Sequence, residues 1–250
     1  MKKGVDKRFA KCYNNSIKEE RKYKKLSTKK IDRRKAYFVV LDTETCNSLE
    51  EPMAYDIGFA VVDKYGKVYE RRSYVVYEVY VGMRDVMQSA YYFNKLPQYE
   101  VELAEGSRVM KSILSIKKEL ARLCKEYRVK AIMAHNARFD YRSTTKSIRY
   151  TTKCEFKYFL PYGVEIWDTL SMARDTICKG TLYRQWCEEN GYMTKDNKPQ
   201  ATAEVLYRYI TGNKAFVESH TGLEDVLIEK EIFKKCMSYH KPMRKKLFKD

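Results

Sequence analysis

The 250-residue sequence predicts an α/β domain: a mixed sheet of five strands, three antiparallel and two parallel, flanked by helices. Three observations lead there. The stretch Ala36 to Thr45, AYFVVLDTET, is an apolar run ending abruptly in acid, Thr, acid, as a buried central strand does where it reaches the edge of a sheet. Two β-rich runs joined by a tight turn follow it. After these come two units in which a short apolar strand leads into a helix, the pattern that adds parallel strands to a meander.

Each element has its own signal. In YDIGFAVVDKYGKVYERRSYVVYEVYV the two runs meet at Lys64 to Lys67, with Gly66 supplying the turn. Met83 to Gly106 reads as irregular and aromatic, with Tyr91, Tyr92 and Phe93 together. Ser107 to Tyr127 places apolar residues at Val109, Ile113, Ile116, Leu120 and Leu123, the spacing of an amphipathic helix. VKAIMAHNARFDYRSTTKSIRY is a strand through Ala134 followed by a helix, and EIWDTLSMARDTI repeats the device, its helix starting after Asp168. Leu182 to Asn190 is a helix stopped by Gly191, Tyr192 to Gln200 a polar loop, Ala201 to Ile210 a short helix and Leu223 to Met237 a last amphipathic one.

The formal charge of +17 favours a polyanionic partner, and 22 Tyr among the Lys and Arg offer surfaces on which bases could stack. A solvated Lys-rich surface is the plain alternative. Residues 1–35 hold 15 Lys or Arg against 4 acids, so a basic arm supplies most of the excess and residues 36–250 form the domain proper. Seven Cys without a C-x-x-C pair argue for a reducing compartment and against zinc or a disulfide framework. With no secretory h-region and no long apolar run, the expected location is the cytoplasm, with no membrane.

Asp42 and Glu44 are the chemical core of this reading. Two apart on a strand, their carboxylates project to one face, which is costly unless a cation lies between them. In HNARFD, His135 and Asn136 end the second-unit strand, Asn136 is positioned to cap the helix and Asp140 falls in its first turn. In SHTGLEDV, Thr221 and Glu224 form a capping box, leaving His220 in the loop and Asp225 just inside the helix, with Gly222 allowing that loop to move. Asp168 reads as a helix N-cap.

In order, D-x-E at Asp42 and Glu44, H-N-x-x-F-D ending at Asp140, and H-x-x-x-x-D from His220 to Asp225 resemble the three motifs of the DEDDh, or DnaQ-like, 3′-to-5′ exonucleases. The resemblance runs from about Ala36 to Met237 and includes WDTLSMAR at Trp167 to Arg174; the basic arm, Met83 to Gly106 and the Tyr192 to Gln200 loop match no part of it. It implies an RNase H-like fold, with Asp42, Glu44, Asp140 and Asp225 holding two Mg²⁺ or Mn²⁺ ions and His220 as general base. Hard cations suit an all-oxygen ligand set. Imidazole suits proton uptake near neutral pH. Thr43, His135, Asn136 and Phe139, within these motifs, are expected to contact substrate. That substrate would be nucleic acid with a free 3′ end, single-stranded or frayed DNA first and RNA second. Nucleoside 5′-monophosphates would be the product. A polymerase or repair assembly is the expected partner if the chain works as a subunit.

Overall fold

The computed structural model describes residues 31–248, so the basic arm falls almost wholly outside the described residues. Strands β1 (Tyr37–Cys46), β2 (Met53–Asp63) and β3 (Val68–Val76) form the antiparallel meander, turning at Gly66 with φ of 76°. After helices α1 (Tyr77–Tyr80), α2 (Arg84–Met87) and α3 (Leu96–Glu105), strand β4 (Val109–Lys111) pairs parallel with β3 and leads to α4 (Ile113–Tyr127). Strand β5 (Ala131–Ala134) with α5 (Ala137–Thr152) and β6 (Glu165–Asp168) with α6 (Thr169–Asp175) are the two strand–helix units. Helices α7 (Thr181–Asn190), α8 (Ala203–Thr211) and α9 (Gly222–Ser238) complete the described chain.

The sheet runs β4-β3-β2-β1-β5-β6, with β5 parallel to β1 and β6 parallel to β5. It is the expected mixed sheet with six strands instead of five. The sixth, β4, lies inside the segment expected to be helical from Ser107. Val109 keeps helical phase with Ile113 and Ile116, but Ser112 is the true boundary: its hydroxyl accepts from the Ser115 amide and starts α4. Met83 to Gly106 is likewise more regular than expected. Pro97 in the first turn and Gly106 in the left-handed conformation bracket α3.

Alternation along β1 builds the two cores. Tyr37, Val39 and Leu41 pack with Tyr99 of α3, Ile116 and Leu120 of α4 and Ile148 of α5. Phe38 and Val40 face the other way, against Met172 of α6, Cys187 of α7, Leu206 of α8 and Phe233 of α9. The result is a sheet between two helical layers. Asp42 and Glu44 continue the even-numbered face and therefore look toward α9. Because β5 pairs with β1 only at Phe38–Val40, the last residues of β1 are open on that side, where α5 begins. A register shift at Glu44/Thr45 bends the strand there.

Candidate active site

Ligand oxygens of Asp42, Glu44 and Asp225 lie within 4.8 Å of one another, uniting the first and third motifs. Glu44 and Asp225 are buried; Asp42 is half-buried, yet its Oδ2 is shut off from solvent. Asp42 Oδ2 and Asp225 Oδ1 have no hydrogen-bond partner. Burial pushes the Glu44 carboxyl up to about 8, with Asp56, Glu218 and Asp140 adding to the effect. Asp225 is raised to about 9, again by burial first and then by Glu218 and Glu44. Asp42 is raised well above the carboxylate range by burial and by Glu229, Asp140, Glu44 and Asp225. Such orphaned, mutually repelling oxygens fit a divalent cation with hard oxygen ligands.

Asp140 enters from α5, past the open end of β1. Its Oδ1 accepts from Thr43 Oγ1 at 2.9 Å, and Thr43 Oγ1 also meets Ser143 Oγ at 3.0 Å. Burial raises Asp140 to about 7. Thr43, expected to touch substrate, is 6% exposed and aims Asp140 instead.

His220 lies in the loop before α9 with φ of 54°, an uncommon conformation for a non-glycine residue. Its ring stacks on Tyr92, centroids 4.0 Å apart and planes within 10°, and its Nδ1 is 4.0 Å from Glu218 Oε2. Burial lowers its pKa, which leaves the imidazole neutral at pH 7. Gly222 is not a hinge. A Cβ there would come 2.8 Å from the Gly58 amide nitrogen, and a Cβ on Gly58 would lie 2.2 Å from the Gly222 carbonyl carbon. The glycine pair lets α9 press its first turn onto β2 and β1. Thr221 does sit at the N-cap, but its hydroxyl donates to the Glu224 carboxylate and caps no backbone amide.

The other residues expected at the substrate are His135, Asn136 and Phe139. His135 has both ring nitrogens engaged, Nδ1 with Thr169 Oγ1 at 3.1 Å and Nε2 with the Ala201 carbonyl at 2.7 Å, so it ties α6 to the loop before α8. Asn136 occupies the N-cap position with φ of 71°, but its side chain caps nothing. Asp168 does that work. Its carboxylate accepts from the amides of Asn136 and Ala137 as well as from Leu170 and Ser171, capping α5 and α6 together. Phe139 is half-buried, with the Arg142 guanidinium 5.8 Å from its ring centre.

Three acids were not singled out from the sequence. Asp56 is fully buried on β2, its Oδ2 accepting from Tyr99 Oη at 2.7 Å, Arg108 Nη1 at 2.8 Å and the Gly222 amide at 3.2 Å. It joins α3, the β4 segment and the start of α9. Glu229, one turn after Asp225, accepts from the His135 amide at 3.0 Å and leaves Oε2 unpartnered. That spacing of four was a readable signal. Glu218 is raised to about 7 by burial and by Glu204.

No family model and no curated protein matches the sequence. Solved structures do. A 3′-exonuclease described for 3′-end-specific recognition of a histone mRNA stem-loop is 12% identical, with 99% of this chain and 80% of that one aligned at a TM-score of 0.56. E. coli exonuclease I with a dT13 oligonucleotide is 15% identical at a TM-score of 0.48, covering 82% of this chain and 42% of that one. Exonuclease X with 5′-overhanging duplex DNA is 16% identical at 0.40, covering 81% and 92%. At such identities the likeness is one of architecture, and the first alignment spans nearly the whole chain. The chain therefore shares the mixed α/β fold of that 3′-exonuclease.

Proposed function

We propose that the chain is a divalent-metal-dependent 3′-to-5′ exonuclease of the DEDDh type. One observation carries the reading: acids from two ends of the sequence, Asp42, Glu44 and Asp225, bring ligand oxygens within 4.8 Å, two of those side chains with buried, unpartnered oxygens. Asp140 adjoins them and adds its field to Asp42. These four carboxylates would hold Mg²⁺ or Mn²⁺, which when bound neutralises phosphodiester charge and favours ionisation of the attacking water.

The chain's own residues do the rest. Thr43 orients Asp140 by a hydrogen bond. Asp56 and the Gly58–Gly222 contact fix the start of α9, and with it Asp225. His220, neutral at working pH, takes the proton from the attacking water, while the Tyr92 ring holds the imidazole plane. Glu218 stands 4.0 Å from Nδ1, where its ionised form favours the imidazolium that forms. The substrate is nucleic acid with a free 3′ end.

Incubating the protein with matched 5′-labelled single-stranded DNA and RNA oligomers and Mg²⁺ or Mn²⁺ tests the proposal. Stepwise shortening from the 3′ end that stops with chelator is the expected outcome. Internal cleavage, or none, overturns it.

A further inference from the structure

The far end of α5 carries a surface that the cluster's chemistry does not use. Tyr150 is 67% exposed, Phe156 84% and Tyr162 fully, all within one short stretch of chain. Exposed rings on one short segment are available for contact. Cations interleave with them. The Arg149 guanidinium lies 4.6 Å from the ring centre of Tyr158, and a cavity of about 660 Å³ is lined by Arg149, Tyr150, Lys153, Cys154 and Glu155.

The same helix leads back to the carboxylates. Arg138, Arg142, Lys146 and Arg149 recur every three or four residues, which keeps them on one face of α5, and Lys153 is its C-cap with φ of 52°. Asp140 stands in the first turn on the buried side of the helix, opposite these cations, and at 1.5 Å per residue Lys153 lies about 20 Å along the axis from it. Lys146 pairs with Glu51 and is partly neutralised, Arg142 donates to the Leu49 carbonyl and keeps its charge, and Arg138, Arg142 and Lys153 stand exposed. A solvated helix face accounts for the cations. It does not account for the rings.

We infer that this ridge and its aromatic end bind single-stranded nucleic acid away from the carboxylate cluster, phosphates along the cations and unpaired bases on Tyr150, Phe156 and Tyr162. A duplex hides its base faces, whereas a single strand offers phosphates and base faces together. The assignment of that strand as the portion preceding the 3′ end rests on the proposed exonuclease reading; the binding surface itself does not.

The test measures binding in chelator, so that no hydrolysis intervenes, by fluorescence anisotropy of a labelled oligothymidylate of about 20 nucleotides, one of about four, and a blunt duplex. The triple variant Tyr150→Ser, Phe156→Ser, Tyr162→Ser is expected to bind the long strand at least about tenfold more weakly and the short one unchanged. Arg138→Glu with Lys153→Glu is expected to flatten the dependence of long-strand affinity on salt. These are surface positions, and an unchanged melting temperature checks the fold of each variant. Equal long-strand affinity in wild type and triple variant overturns the proposal. So does a duplex held as tightly as the single strand through the same residues. Metal-dependent hydrolysis of the short strand reads the carboxylate site alone. If wild type fails there, the exonuclease reading falls while the anisotropy result stands.

Discussion

His220 holds a left-handed backbone conformation, costing about 1 kcal/mol for a residue with a Cβ, and spends that strain on facing Tyr92. Its lowered pKa makes it a proton acceptor at neutral pH, so the rate should rise as pH passes upward through that pKa and then level. Replacing His220 by Ala should cut turnover by about 10²-fold to 10⁴-fold and remove that rise, with metal affinity by calorimetry unchanged. If the rate and the rise both persist, the proton goes elsewhere. Tyr92→Ala, which removes a ring contact of about 0.5–1.5 kcal/mol, should lower turnover by up to about tenfold while keeping the rise. The acids that the structure brings together, Asp42, Glu44 and Asp225, were legible as motif spacing. Tyr92, Asp56 and Glu218 were not, because a lone acid or ring gains its meaning from what the fold brings opposite it. Thr43 and His135 show the converse: a polar residue within a motif also holds the scaffold, Thr43 through Asp140 and His135 through Thr169 and the Ala201 carbonyl.

At the scale of elements, the approach of α9 to β2 decides where Asp225 sits. Gly58→Ala would drive a Cβ into the Gly222 backbone, and overpacking against backbone with no side chain to yield costs about 3 kcal/mol or more. A clear fall in the denaturation midpoint is expected, with activity lost even in the fraction that remains folded. A variant of wild-type stability would show that α9 can shift. Arg108→Ala should act through the same junction, leaving the fully buried Asp56 uncompensated at a cost of about 3–5 kcal/mol. The order and type of the strand–helix units were readable from periodicity and turn residues. Strand β4 was not, since three residues carry too little period to separate from the helix that follows in phase. The α9–β2 contact was hidden too, because nothing local to Gly58 or Gly222 says that each exists for the other.

For the whole molecule, the carboxylate cluster couples stability to pH and metal. Burial pushes the carboxyls of Asp140, Glu44 and Asp225 up to about 7, 8 and 9 in the folded chain, above the unfolded values near about 4. Groups raised in this way stabilise the fold fully below about pH 4, and the contribution is lost as pH rises through about 7 to 9. The metal-free protein should therefore melt at progressively lower temperature across that window. Mn²⁺ or Mg²⁺ should raise the melting temperature and flatten the fall, because a cation bound only by the folded state offsets the repulsion among these ionised acids. A metal-free melting temperature that climbs through this window would contradict the burial of these acids.

The central claim is that Asp42, Glu44, Asp140 and Asp225 form one metal-dependent site for removing 3′ nucleotides. The most direct measurement compares wild type with Asp42→Ala on the same 5′-labelled single strand with Mg²⁺, following products with time and checking that both proteins melt alike. The account predicts stepwise 3′ shortening with release of nucleoside 5′-monophosphates by wild type, and no detectable shortening by a folded Asp42→Ala. Near wild-type turnover by Asp42→Ala would contradict it.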